Sequence, residues 1–316
     1  METVNIALAT DRNYLPHACT AIASMLVHRR NAGERDIGLN LYLLHRDLNE
    51  VDFEKLRELN AICAFRLIPV AIPASAFADW RIYRSNWTEA AYYRLILPSL
   101  LPDVSRIIYL DCDLLLLTDV LELWRIPLDS CRTGAVAVKV TPEHKIRLGL
   151  AAEDPYLNSG VMVFDLAAMR ASGDEARFRE IYETCMDKLK YPDQDILNIA
   201  YRGGYKLLPL KWNLTTSVYR NPVNEALYSE AETLDAIRHP GIAHFTGVHK
   251  PWRIGKTTHH PYSSYYWKYL KLTPFADEFR WRALVKKCFN GRVKRPKLRT
   301  PWSRKDINWT IPVVPR

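Results

Sequence analysis

The chain has 316 residues, 48% of them apolar and 25% charged, which suits a soluble protein with one large domain and a sizeable buried core. No apolar run approaches the roughly 18 residues of a spanning helix. The net charge of +9 is uneven: Phe279 to Arg316 holds twelve of the 44 basic and one of the 35 acidic residues, about +11, leaving about −2 for the rest. That distribution argues for an appended binding segment and against a basic groove running through a nucleic-acid protein.

In chain order, Met1-Glu2-Thr3-Val4-Asn5 lacks the basic region and long apolar core of a leader, so a cytoplasmic protein is expected. Val4 to Ala9 reads as a strand ending at Thr10-Asp11. Pro16 to Arg30 reads as a helix with proline in its first turn. Leu39 to His45 alternates as a strand, and Asn49 to Ile62 has helical spacing with Asn49 as N-cap. Further strands are predicted at Phe65–Val70, Arg106–Leu110, Ala135–Val140, Val161–Phe164 and Tyr205–Leu208. Helical patterns cover Leu166–Lys190 and Asp193–Tyr201. Alternating strands and helices predict an α/β fold with a mostly parallel sheet. The cysteines, Cys19, Cys63, Cys112, Cys131, Cys185 and Cys288, are scattered singly, which predicts free thiols and no zinc spacing.

Asp111-Cys112-Asp113 follows the apolar run Ile107-Ile108-Tyr109-Leu110. Carboxylates two apart at a strand tip point to one side. At the carboxyl edge of a sheet they suit a hard divalent cation and a phosphorylated ligand. An acidic surface turn is the equally common alternative for the motif alone. Asp11, after the first strand, occupies the same kind of position. No Gly-x-Gly-x-x-Gly follows that strand and no Gly-x-x-x-x-Gly-Lys loop occurs, which disfavours dinucleotide oxidoreductases and P-loop NTPases.

Several ordered segments together resemble one family. They are Leu8-Ala9-Thr10-Asp11-Arg12-Asn13-Tyr14, Tyr92-Tyr93-Arg94-Leu95, Tyr109-Leu110-Asp111-Cys112-Asp113, Leu157-Asn158-Ser159-Gly160-Val161, Asp193-Gln194-Asp195-Ile196-Leu197-Asn198 and His244-Phe245-Thr246-Gly247-Val248-His249-Lys250-Pro251-Trp252. The chain resembles the family-8 retaining glycosyltransferases, whose fold is GT-A. It is most similar to the bacterial enzymes that add galactose or glucose to lipopolysaccharide or lipooligosaccharide. The resemblance implies a GT-A catalytic domain over residues 1–278 and a basic C-terminal segment over 279–316.

It also implies that Asp111, Asp113 and His244 hold a divalent metal. An imidazole ligand favours Mn²⁺ over Mg²⁺, which prefers all-oxygen shells, with Mg²⁺ as the alternative. Ala9, Asp11, Asn13 and Tyr14 match the nucleotide pocket, where Asp11 would accept from uracil N3–H and Tyr14 would stack on the base. Arg12 departs from the acidic residue of close relatives and is expected to point outward. Arg94 matches an arginine near the donor sugar and phosphate, and Gly247 with Lys250 the diphosphate clamp. Cys112, Asn158, Ser159, Asp193, Gln194 and Asp195 would complete the donor site, short polar side chains suiting hydroxyl readout. Gln194 matches the residue best placed beside the anomeric carbon, with Asp195 as the runner-up for a covalent role. Trp252 is expected to pack, and His249, His259 and His260 to be ordinary surface or groove residues.

The expected reaction is transfer of a hexose from a UDP-sugar to a saccharide acceptor with retention. In the tail, Trp281, Leu284, Val285 and Cys288 fall on one helical face beside basic residues, followed by Lys294-Arg295-Pro296-Lys297 and by Trp302 and Trp309. Basic charge with tryptophan suits an anionic membrane surface. A peripheral position on the inner face of the cytoplasmic membrane and a lipid-linked oligosaccharide acceptor would fit it. A tail helix packed on the body is the alternative, and nucleic-acid binding is not expected. Two other functions stay open on residues alone: a nucleotidyltransferase, and a non-enzymatic membrane or nucleic-acid binding protein.

Overall fold

A computed structural model describes residues 2–33, 36–81, 88–220, 227–248, 250–253 and 260–277. The basic segment over 279–316, His249 and His259 lie outside the described residues. The strands are β1 (Thr3–Ala9), β2 (Gly38–His45), β3 (Arg66–Ala71), β4 (Arg106–Leu110), β5 (Leu114–Leu116), β6 (Thr133–Ala137), β7 (Leu157–Asp165), β8 (Lys206–Leu207), β9 (Leu214–Thr215) and β10 (Ile242–His244). A 7-stranded sheet runs in the order β3-β2-β1-β4-β7-β6-β8. β1 pairs in parallel with both β2 and β4, β2 with β3, and β6 with β8. β7 alone is reversed, antiparallel to β4 and β6. The sheet is thus mostly parallel, as its apolar strands predict.

Both faces of the sheet are buried. Ile6, Leu8, Leu41, Leu43 and Ile108 face one apolar cluster, and Ala7, Leu44, Ile107 and Tyr109 face the other, following the alternation of strand side chains. The helix Leu15–Ala32 is buried along its whole length from Leu15 to Arg29. Its polar groups are therefore partnered inside the protein. His17 and His28 meet the hydroxyls of Tyr266 and Tyr269, at 2.6 and 2.9 Å, on the helix Ser263–Leu270. Ser24 accepts from the backbone N–H of Leu116 at 2.9 Å, fastening the helix to β5.

Asn49 caps the helix Glu50–Arg57 in a reciprocal box with Asp52, as its position predicts. The predicted helix over 166–190 is broken into Leu166–Ala171, Asp174–Cys185 and a 3₁₀ turn Met186–Lys188. Gly173, with φ 67°, sits in the left-handed region between the first two pieces, where its missing Cβ removes the usual penalty. A 3-stranded sheet in the order β5-β10-β9 was not anticipated, because strands this short show no alternation. Among the described residues no helix is long and apolar enough to cross a membrane. The described cysteines, including Cys19 and Cys112, are free.

Candidate active site

Chain order reverses across the sheet between β1 and β4, and ligands of open α/β sheets bind outside the strand ends at such a point. Asp11 follows β1 there and Asp111 follows β4. Because β7 runs the other way, its beginning lies where its neighbours end. The backbone N–H of Asp111 donates to the Gly160 carbonyl at 2.8 Å, which brings Asn158, Ser159 and Gly160 to the same edge. The small sheet adds the last group: His244 is opposite Leu114 in the β10–β5 register, one residue from Asp113. The first turn of the helix Pro192–Ala200 closes the edge with Asp193 and Gln194. These segments enclose a cavity of about 480 Å³.

One ligand atom each from Asp111, Asp113 and His244 lie within 4.8 Å of one another. His244 Nε2 is 3.1 Å from Asp113 Oδ1 and 3.8 Å from Asp111 Oδ2. Gly160 makes this convergence possible, since a Cβ there would stand 2.4 Å from His244 Cε1 and 2.6 Å from Asp111 Oδ2. Two carboxylates and an imidazole nitrogen, gathered in the wall of one cavity, fit a divalent cation that prefers mixed oxygen and nitrogen ligands.

Two cations offset the acids. Arg94 is buried, its Nη2 2.8 Å from Asp111 Oδ1 and its Nε 3.4 Å from Asp193 Oδ2. It also donates to the Ser159 carbonyl and lies 4.2 Å above the Tyr109 ring, so its charge and plane are both held. Lys250 donates to Asp113 and, at 2.6 Å, to the Phe245 carbonyl. Burial alone would raise the Asp113 pKa, but Lys250 and His244 hold it well below the usual carboxylate range. Asp193 moves the opposite way: burial raises it, against the pull of Arg94 and the Ser159 hydroxyl, which donates to it at 2.8 Å.

Asp11 Oδ1 accepts from the Tyr14 backbone N–H at 2.9 Å, so this carboxylate is both a turn former and part of the cavity wall. Tyr14 lies edge-on to Trp252, which stacks on His17 with centroids 3.8 Å apart. Burial pushes the Tyr14 hydroxyl up to about 12, keeping it neutral. Trp252 packs, as expected. Arg12 is exposed and points away, pairing with Asp52 at 3.2 Å, also as expected. Cys112 donates to the Ala9 carbonyl at 3.1 Å, joining the ends of β4 and β1.

The cavity wall contains Ala9, Asp11, Tyr14, Arg94, Asp111, Cys112, Asp113, Asn158, Ser159, Asp193, Gln194, His244, Gly247 and Lys250. Two residues expected with them are not there. Asn13 is exposed and does not line the cavity. Asp195 is fully buried behind it, accepting from His144 Nε2 at 2.8 Å, from the Tyr156 hydroxyl, and from the backbone N–H groups of Lys190 and Tyr191 at 2.7 and 2.9 Å. Adjacent helical positions diverge by about 100°, so Gln194 faces the cavity and Asp195 the core. A carboxylate so committed cannot reach a sugar, and its covalent role is withdrawn. His260 also departs from expectation: it is buried against the Leu214 carbonyl at 3.1 Å, and burial lowers its pKa to about 3.

Sequence reading missed Asn213 and the part played by Asn198. Asn198 is buried inside a helix, where asparagine is a poor former. It accepts from Leu157 N–H at 2.7 Å and returns a hydrogen bond to the Leu157 carbonyl at 3.0 Å, docking the start of β7. That mismatch between residue and element was the available signal. Thr88, Tyr191, Thr246, Val248 and Arg253 also line the cavity without having been anticipated.

The chain can now be set beside known proteins. General stress protein A of Bacillus subtilis (strain 168) is 27% identical over 278 residues, spanning 86% of this chain and 94% of that one. A lipopolysaccharide 1,2-glucosyltransferase of Escherichia coli (strain K12) is 26% identical over 282 residues, spanning 88% and 80%. The galactosyltransferase LgtC, crystallised with donor and acceptor sugar analogs, superposes with a TM-score of 0.74 at 23% identity over 88% of this chain and 100% of that one, which shows a shared GT-A fold. The model of glycosyl transferase family 8 matches residues 5–254, so the nucleotidyltransferase and purely binding readings fall away. With its strand-edge acids, reversed β7 and matched length, the chain belongs to glycosyl transferase family 8.

Proposed function

We propose that the protein transfers galactose or glucose from a UDP-sugar to a saccharide acceptor, retaining the anomeric configuration and depending on a divalent metal, Mn²⁺ before Mg²⁺. The observation that carries this reading is the convergence of Asp111, Asp113 and His244 in a cavity whose wall also holds Tyr14 and Asp11. The metal, when bound, would supply Lewis-acid neutralisation of the departing diphosphate. Arg94 and Lys250 hold the carboxylates in place and place positive charge where that diphosphate would lie. Asp11 reads the uracil edge and Tyr14 covers its face.

Gln194 Oε1 accepts from Asn158 Nδ2 at 2.9 Å and from the Ser159 backbone N–H at 3.2 Å. An amide oxygen already engaged twice is a weak nucleophile, so Gln194 stabilises positive charge at the sugar and does not attack it. The acceptor oxygen forms its bond to C1 on the face the diphosphate leaves, the C1–O bond to phosphate breaks, and the acceptor proton passes to the leaving phosphate oxygen. Similarity to lipopolysaccharide 1,2-glucosyltransferases supports a lipid-linked glycan as acceptor. The charge of 279–316 supports a peripheral position on an anionic membrane.

A donor screen tests the reading. With Mn²⁺ and no acceptor, slow release of nucleoside diphosphate is expected from UDP-galactose or UDP-glucose, and from neither in chelator. Asp113→Ala should stay folded and silent. Turnover of a different nucleotide-sugar, or full activity in chelator or in the variant, would overturn it.

A further inference from the structure

Asn213 ends the 3₁₀ turn Leu210–Asn213 and leads directly into β9, and it is fully buried. β9 runs beside β10 with Thr215 opposite His244, so Asn213 is delivered to the concealed side of the imidazole. His244 Nδ1 is 2.8 Å from Asn213 Oδ1. Asn213 Nδ2 donates to Asn158 Oδ1 at 2.7 Å, and Asn158 Nδ2 donates to Gln194 Oε1 at 2.9 Å. A single chain of side-chain amides therefore connects the imidazole to the cavity residue nearest the proposed sugar.

The polarity of that chain follows from two backbone groups that can only donate. Gly160 N–H points at the Asn158 side chain, 3.1 Å away, and this demands oxygen there. Ser159 N–H does the same for Gln194 at 3.2 Å. With Asn158 oxygen facing Gly160 and Asn213, the Asn213 atom facing it is the nitrogen, and the Asn213 oxygen faces His244. An acceptor at Nδ1 requires the proton there. Nε2 lies 3.1 Å from Asp113 Oδ1, a second acceptor that competes for the proton of a neutral ring when no metal is bound, and the fixed Asn213 oxygen holds that proton on Nδ1.

Resting on the metal reading above, we infer that Asn213 is a positioning residue: it locks His244 in the Nδ1–H tautomer through Asn158, with the backbone of β7 as the reference. Partners that orient a ligating imidazole typically change metal affinity by about 10- to 100-fold. The same chain sets the face of Gln194, so the metal ligand and the sugar-side residue share one orientation.

Nitrogen-15 spectra of His244 in the metal-free protein, recorded as a pH series, test the tautomer of the neutral ring without any catalysis. Wild type is expected to show a protonated Nδ1 and a bare Nε2; the reverse assignment would overturn the inference. Asn213→Ala should give mixed tautomers and a Mn²⁺ affinity lower by about 10- to 100-fold. Asn213→Asp keeps an acceptor on Nδ1 and should restore the tautomer. Asn158→Ala, at the cavity wall and hydrogen-bonded to Asn213, Gln194 and Gly160, should also mix the tautomers, which keeps the test open if Asn213→Ala does not fold. An unmixed Asn158→Ala spectrum would refute the relay. Failure of wild type to bind Mn²⁺ would instead remove the metal reading and leave the tautomer result standing.

Discussion

At the scale of single residues, the site depends on side chains that are small or committed. Gly160 is the sharpest case: no side chain fits between His244 and Asp111 where β7 begins. Gly160→Ala should fold, because the clash is with side chains at a cavity edge, yet should bind Mn²⁺ at least about 10-fold more weakly by calorimetry, as for a displaced ligand shell. Unchanged affinity would mean that the three groups do not act on one ion. Gln194 makes a different prediction. If it stabilises charge, Gln194→Ala should keep measurable transfer, reduced by about 10- to 1000-fold in turnover, the scale of one lost electrostatic contact. A glycosyl adduct found on Gln194 by mass spectrometry would sink the front-face reading.

Among elements, the helix Pro192–Ala200 divides its labour by face. Asp193 and Gln194 meet the cavity, while Asp195 and Asn198 bind the scaffold. Arg147 Nη2 lies 2.6 Å from His144 Nδ1 and can only donate, so His144 Nε2 carries the proton given to Asp195. Removing that carboxylate leaves several buried donors without an acceptor. Asp195→Ala should therefore lose at least about 1–3 kcal/mol of stability in denaturant titrations, the cost of a buried donor left without an acceptor. Activity should then fall with the folded fraction. A variant of wild-type stability that is inert would restore a direct chemical role to Asp195. Asn198 serves the same docking from the next turn, and Asn213 from a 3₁₀ turn across the sheet. The amides therefore belong to the framework of the site as much as to its wall.

For the whole molecule, the basic charge and the described cavity residues fall in different parts of the chain. The family match ends at residue 254, and among the described residues the cavity draws on nothing beyond Arg253. The strongly basic stretch begins at about 279. Basic residues near an anionic bilayer contribute on the order of 1 kcal/mol each, with steep salt dependence. Truncation after Glu278 should release the protein from anionic vesicles in co-sedimentation at low salt while leaving UDP-sugar hydrolysis largely intact. Transfer to a lipid-linked acceptor should fall more than transfer to a short soluble sugar. A truncated protein that sediments as before, or that unfolds, would make the tail structural.

The parallel sheet, its strand-end acids and the family blocks were legible in the sequence. Long apolar strands and short-range motifs such as Asp111-Cys112-Asp113 carry their signal within a few residues. The convergence of Asp111, Asp113 and His244 was legible only through resemblance, since Asp113 and His244 are far apart in the chain. What the tertiary structure alone decided is which neighbours face the cavity. Asp193, Gln194 and Asp195 are equally polar in sequence, and helix phase sends Asp195 inward. Strands too short to alternate hid the small sheet that carries His244, and with it Asn213. The polarity of the amide chain was set by two backbone N–H groups of a reversed strand, and only folding brings those against the side chains they orient.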